Sequence, residues 1–148
     1  MKEVFGNAWD YPANIFCITT NGTVKSSDGA GVMGRGIAAE AKKRFPGIDK
    51  KLGNMICKHG NHVYLATDFG AGDLCFFPVK HNWWEKADLN LIKRSAMELA
   101  SIAEAFPETI FVLPRPGCGN GGLCWDLVKP VIEIILPDNV HVITFTTS

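Results

Sequence analysis

Apolar residues along this chain follow two periodicities that take turns. Short runs rich in β-branched and aromatic residues have the pattern of strands, and between them apolar residues recur every three or four positions, as in helices. Lys2 to Phe5 reads as a short strand and Gly6-Asn7-Ala8-Trp9-Asp10-Tyr11-Pro12 as a turn. Asn14 to Thr20 reads as a strand around the run Ile15-Phe16-Cys17-Ile18-Thr19-Thr20. A long loop from Asn21 to Gly36 leads into a helix from Ile37 to Phe45. That helix sets Ile37, Ala41 and Phe45 on one face and Glu40, Lys42, Lys43 and Arg44 on the other, and Pro46-Gly47 stops it. Lys50 to His59 fits a short helix or a loop. His62 to Ala66 and Leu74 to Val79 read as strands of a hairpin joined by Thr67 to Asp73.

Asp88 is placed to cap the longest helix, in which Leu89, Ile92, Ala96, Leu99, Ala103 and Phe106 repeat at three and four before Pro107 ends it. Ile110 to Leu113 is short and fully apolar, as strands buried at the centre of a sheet are. A second glycine-rich loop, Pro114 to Leu123, follows. Pro130 fits only the first turn of a helix, which predicts a helix from near Lys129 to Leu136. Val140 to Thr146 closes the chain as a strand. Strands alternating with helices predict an α/β layered sheet with helices on both faces, and in such sheets ligands collect at the carboxyl ends of strands.

Both glycine loops follow a strand and precede a helix, so both should fall on one rim of the sheet. The first, Asp28-Gly29-Ala30-Gly31-Val32-Met33-Gly34-Arg35-Gly36, places unpaired N–H groups and the positive end of a helix beside a loop that admits close approach, a seat for phosphate. Two such loops facing one crevice would hold two phosphates.

Composition narrows this picture. The chain has 148 residues, 47% apolar and 20% charged, consistent with one soluble domain over residues 1–148. A net charge of zero argues against a nucleic-acid binder that relies on a broad basic face. The five cysteines form no CxxC pair and no zinc spacing, and His59, His62 and His141 show no metal spacing either, so no metal and no cofactor are expected. Free thiols favour a reducing compartment. The N-terminus lacks the apolar core of a signal peptide, and no run is long enough to span a membrane, so the expectation is cytoplasmic.

The loops do not fit the common nucleotide motifs. Gly31-x-x-Gly34-x-Gly36 is not G-x-G-x-x-G, and no G-K-[ST] occurs. The segments Ile18-Thr19-Thr20-Asn21, Gly31-Val32-Met33-Gly34-Arg35-Gly36-Ile37-Ala38 and Pro114 to Trp125 resemble those of macrodomains, the ADP-ribose-binding fold. Within that family the chain is similar to the branch of terminal ADP-ribose glycohydrolase and the bacterial antitoxins that strip ADP-ribose from DNA, and to compact phage-encoded macrodomain proteins. The resemblance implies a three-layer α/β/α fold with a mostly parallel mixed sheet. It also implies ADP-ribose or an ADP-ribosylated macromolecule as partner, with nucleic acid entering only as a modified substrate.

By that resemblance, Asn7 lies in the segment that contacts adenine, where relatives carry Asp, and Asn21 faces the distal ribose. Gly31, Val32, Met33, Gly34, Arg35, Gly36 and Ile37 form the first phosphate loop. Gly117, Cys118, Gly119, Asn120, Gly121 and Gly122 form the second, and Phe145 stands beside the adenine. Lys80 takes the position of a lysine that attacks the anomeric carbon of the distal ribose. A lysine at a strand end beside the aromatic loop His81-Asn82-Trp83-Trp84, partly removed from water, is suited to that task.

The chain departs from that pattern at Gly121, which stands where the human enzyme carries a catalytic Asp. Asp126 is expected to cap a helix instead, and His81 is a proton-donor candidate by proximity in sequence alone. Trp83 and Trp84 suit a lid, or a platform for a base attached to ADP-ribose, or packing on the protein's own surface. Arg115 is expected to fix the second loop through backbone carbonyls, and Cys118 to pack beneath it. The readings that follow are removal of ADP-ribose from a macromolecule through Lys80, a binding module without catalysis, and a phosphatase acting on ADP-ribose 1″-phosphate.

Overall fold

A computed structural model describes residues 1–69 and 73–144. In chain order the elements are β1 (Lys2–Phe5), β2 (Ile15–Asn21), α1 (Gly36–Arg44), α2 (Ile48–His59), β3 (Tyr64–Ala66), β4 (Asp73–Lys80), α3 (Leu89–Ala105), β5 (Phe111–Pro114), α4 (Trp125–Ile132) and β6 (Val140–Thr144). The strands form one sheet in the order β1-β6-β5-β2-β4-β3. Every neighbouring pair is parallel except β3 and β4, the hairpin read from the sequence.

Side chains alternate across a strand, so each strand feeds two cores. Cys17, Cys75, Phe77, Phe111, Leu113 and Val142 face α3 and α4, where Ile92, Ala96, Leu99, Val128 and Ile132 meet them. Ile18, Leu74 and Phe76 point the other way, onto Ala41 of α1 and Ile48 and Leu52 of α2. In β4, Leu74 to Val79 are all buried, as expected of a strand covered on both faces. Cys17 and Cys75 are register partners and both are free thiols. A hydrogen bond to Cys75 and deep burial push the Cys17 thiol well up, which makes it inert.

Two elements differ from the sequence pattern. The segment read as helix or loop is a full helix from Ile48, because Ile48, Leu52 and Ile56 fall one turn apart and pack on the sheet. The last helix begins at Trp125 rather than near Lys129, with Pro130 inside it. Pro130 cannot donate to the carbonyl of Asp126, but both residues are exposed, so water can serve that carbonyl. The burial of Val128 and Ile132 on the sheet outweighs the lost bond. Asp126 is correspondingly not the cap: Cys124 holds that position, and Asp126 lies in the first turn, where its charge meets the helix dipole.

The first glycine loop rests directly on α2. Gly31 N–H donates to the Asp49 carbonyl at 2.7 Å. A Cβ on Gly53 would fall 1.9 Å from the Gly29 carbonyl oxygen, so only glycine lets this helix sit under the loop. Gly53→Ala should therefore destabilise despite alanine's better helix propensity. A loss of about 1–3 kcal/mol, and roughly 3–10 °C of thermal midpoint, is expected by calorimetry. An unchanged or higher midpoint would contradict this packing.

Candidate functional site

The carboxyl ends of β2, β4 and β5 open onto a cavity of about 740 Å³. Both glycine loops line it, Gly34 and Gly36 from the first and Gly117, Gly119 and Gly121 from the second. The loops touch each other: a Cβ on Gly36 would meet the Asn120 amide at 2.9 Å. The N–H groups of Gly34, Arg35, Gly36, Gly119, Asn120 and Gly121 have no hydrogen-bond partner among the described residues. Helix α1 has no side-chain cap, which leaves its positive end open to the cavity. Four cationic residues, Lys25, Arg35, Lys80 and Arg115, are among those lining the cavity, the Arg115 guanidinium being turned to Trp125 and Glu3, and no Asp, Glu or His lines it among the described residues. In a chain of zero net charge this is a local concentration of positive field.

Lys80 owes its place to a break in the sheet. Pro78 has no N–H for the ladder, and β3 pairs with β4 only as far as Phe76. At this point β4 carries one extra residue, Val79, opposite the Thr20–Asn21 step of β2, which sets Asn21 beside Lys80 instead of Val79. The gap is filled by Asn61, whose amide donates to the Lys80 carbonyl at 3.0 Å and packs against Gly22, where a Cβ would lie 2.8 Å from it. Glu98 of α3 holds the same segment through His62 at 2.7 Å and the Val63 N–H at 3.1 Å, and Arg94 donates to the Asn61 carbonyl. Lys80 Nζ then donates to the Trp83 carbonyl at 3.4 Å. Thr20 is buried, lines the cavity, and its hydroxyl is the buried side-chain polar atom left without a partner among the described residues.

The residues singled out from the sequence divide. Asn21, Val32, Gly34, Arg35, Gly36, Ile37, Lys80, Gly117, Gly119, Asn120 and Gly121 line the cavity. Asn21 is also a strut, donating to the Val32 carbonyl and accepting from the Thr23 N–H. Gly31 and Met33 are buried against α2 and the sheet and do not reach it. Gly122 lies outside the lining and serves the turn, its N–H bonded to the Gly119 carbonyl. Cys118 lines an adjoining cavity of about 450 Å³ that shares Ile37, Pro114, Arg115 and Gly119 with the first and extends to Gly6, Ala8 and Thr144. Burial pushes its thiol up to about 11, so it is no nucleophile at neutral pH.

Asn7 is exposed, lines neither cavity, and spends its carbonyl oxygen on the Trp9 N–H. Phe145 lies outside the described residues. His81 is not in the cavity but bonds to Asp88, the cap of α3, at 2.7 Å. Arg115 lies over the Trp125 ring at 4.7 Å and beside Glu3, instead of binding loop carbonyls. Thr20, Thr23, Lys25, Ser26 and Ser27 line the cavity without having been singled out as site residues. Small polar residues in a long loop carry no chemical motif, and Thr20 had entered only within the resembled segment Ile18-Thr19-Thr20-Asn21.

No family model matches the chain. It is 29% identical over 117 residues, 74% of its length, to DNA ADP-ribosyl glycohydrolase of Mycobacterium tuberculosis. It is 28% identical over 140 residues, 90% of its length, to the protein of the same name from Thermus aquaticus. It spans about a third of each relative's length, 33% and 37%. Among solved structures it resembles the macrodomain of Thermus aquaticus DarG, with a TM-score of 0.78 at 22% identity over 99% of this chain and 97% of that one. It also resembles Thermosipho africanus DarTG in complex with ADP-ribose, with a TM-score of 0.79 at 20% identity over 97% of this chain and 41% of that one. The chain has the macrodomain fold.

Two outcomes follow from the site's geometry. A Cβ on Gly121 would fall 2.5 Å from the Gly117 carbonyl oxygen and 2.8 Å from Ala87, whereas Gly119 has open space. Gly121→Asp should lower the thermal midpoint by roughly 3–10 °C, while Gly119→Asp stays within about 2 °C. The His81 hydrogen bond, followed by the Asn90 N–H among the favourable contacts, holds the Asp88 carboxyl below its usual value. The unfolded chain therefore takes up the proton first as pH falls. Asp88's contribution is complete above about pH 4 and is lost below it. Asp88→Asn, which keeps a cap acceptor but cannot titrate, should flatten that part of the urea-midpoint profile against pH.

Proposed function

We propose that this chain binds ADP-ribose across its two glycine loops and removes it from a macromolecule, with Lys80 as nucleophile. The observation that carries the reading is the meeting of both loops over one cavity lined by four cations and no carboxylate among the described residues. Its free N–H groups suit a diphosphate. The adjoining cavity continues past Ile37 and Pro114 to Gly6 and Thr144, so the groove extends beyond the two loops. With the diphosphate on the loops, one ribose lies toward Asn21 and Lys80. The names of the sequence relatives and the ADP-ribose in the Thermosipho africanus complex support the same chemistry.

In this reading the neutral Lys80 amine attacks the anomeric carbon of that ribose. The bond to the macromolecule breaks, its electron pair leaves with the departing atom, and that atom takes a proton from solvent. The new C–N linkage loses the extra proton from nitrogen. Water then attacks the same carbon, the C–N pair returns to Nζ together with a proton that the attacking water gives up, and free ADP-ribose and the neutral amine are released. Asn61 and the Pro78 break fix the direction from which the amine approaches.

A module that holds ADP-ribose without cleaving its linkage is the second reading, and Gly121, in the place of the resembled enzyme's aspartate, favours it. Lys80→Ala separates the two. ADP-ribose affinity by calorimetry should stay within about threefold, while release of ADP-ribose from an ADP-ribosylated oligonucleotide or protein should fall about a hundredfold or more. Turnover unchanged in that variant removes Lys80 chemistry. Phosphate release from ADP-ribose 1″-phosphate that survives it points to a phosphatase, and absence of binding at millimolar ADP-ribose ends every reading on this fold.

A further inference from the structure

A lysine carries its amine on a flexible four-carbon stem, so a fixed backbone does not by itself aim the nitrogen. Asn61 holds the Lys80 carbonyl, and the Gly22 N–H holds the His81 carbonyl at 3.1 Å. Nζ is held separately. Among the described residues it makes its hydrogen bond to the backbone carbonyl of Trp83, at 3.4 Å. What places that carbonyl is Thr23, in the loop that follows β2. The Trp83 N–H donates to Thr23 Oγ1 at 3.0 Å, and the same hydroxyl donates to Asn82 Oδ1 at 3.5 Å. Thr23 is itself fixed through both of its backbone groups. Its N–H donates to Asn21 Oδ1 at 3.0 Å, and its carbonyl accepts from the Val32 N–H at 3.2 Å. Thr23 and Lys80 line the same cavity.

We infer that Thr23 is a positioning residue for the Lys80 nucleophile and acts through the Trp83 backbone carbonyl. This role rests on the proposed function and adds the device that aims its amine. A neutral amine has two N–H bonds and one lone pair. With one N–H held on a fixed carbonyl, the nitrogen loses rotational freedom and its lone pair can be set toward the cavity. As that pair closes on the anomeric carbon, nitrogen gains positive charge, while the pair of the breaking bond leaves with the departing atom. The N–H on the carbonyl then becomes charge-assisted. A contact that is long in the free site therefore shortens and strengthens in the transition state, where it lowers the barrier. A carboxylate in that place would favour the protonated amine, which has no lone pair to offer, whereas a neutral carbonyl binds either form. Because the acceptor is a backbone atom, the side chain that sets its position is where substitution can reach it.

The test compares Thr23→Val, which keeps the shape and removes the hydroxyl, with Thr23→Ser, which keeps the hydroxyl. Release of ADP-ribose is followed from an ADP-ribosylated oligonucleotide and from an ADP-ribosylated protein, and ADP-ribose affinity by calorimetry. Thr23→Val should lower kcat about 10- to 100-fold, with KM and ADP-ribose affinity within about threefold of the wild type. Thr23→Ser should bring kcat back to within about threefold. The loss in Thr23→Val should agree to within about threefold between the two substrates, because the amine is common to both and the departing group is not. Unchanged kcat in Thr23→Val, in a protein whose Lys80→Ala variant has lost release, overturns the inference. A loss of ADP-ribose affinity as large as the loss of kcat also overturns it, since that marks a scaffold. So does failure of Thr23→Ser to rescue. A loss confined to one substrate ties Thr23 to the departing group and overturns it as well. Full turnover in Lys80→Ala, or a wild type that does not bind ADP-ribose, strikes the proposed function instead.

Discussion

Everything at this site depends on glycines standing where a Cβ would collide with a neighbour. Gly36 stands against Asn120, and Gly121 stands against Gly117 and Ala87, each at a distance that a Cβ would violate. Beneath them Gly53 plays the same part where α2 meets the first loop. What this closeness creates is a surface made of N–H groups rather than side chains. Such a surface can approach an anion at hydrogen-bonding distance and add the field of a helix end to it. The positive side chains around it extend that field outward; they do not create the cradle.

A second constraint aims the chemistry. A regular parallel ladder would carry β2 and β4 side by side to their ends. Pro78 interrupts it by lacking a donor, the extra residue Val79 opposite the Thr20–Asn21 step absorbs the mismatch, and Asn61 wedges the opening. Helix α3 holds that wedge through Glu98 and Arg94 and grips the Pro78 carbonyl through Ser95 at 2.7 Å. The same helix is capped by Asp88, which holds His81, the residue following Lys80. One edge of the molecule, outside the glycine loops, is thus devoted to holding a single lysine backbone.

The sequence was a good guide where a local rule decides. The alternation of periods gave each strand, the α/β layering and the long α3, because burying a stripe or a face is a local requirement. It misled at Pro130, where a rule about isolated helices gave way to the burial of Val128 and Ile132. It left α2 open between helix and loop over Lys50 to His59, because its packing lies across the sheet. It also placed Gly31 and Met33 with the phosphate loop although they are core residues, since a glycine in a loop does not announce which neighbour it is making room for.

By itself, then, the sequence determined the two strand-loop-helix units and the lysine at the end of β4, since those follow from apolar spacing and from glycine and proline chemistry along the chain. Tertiary structure alone decided that the loops touch, that no acidic residue lines their cavity among the described residues, and that His81 and Arg115 turn to Asp88 and Trp125. It also decided that Thr20, Thr23 and Lys25 belong to the site. The physical reason is distance in the chain. The contacts that make the cavity join residues some eighty positions apart, such as Gly36 and Asn120, and no local preference encodes which distant backbone will arrive.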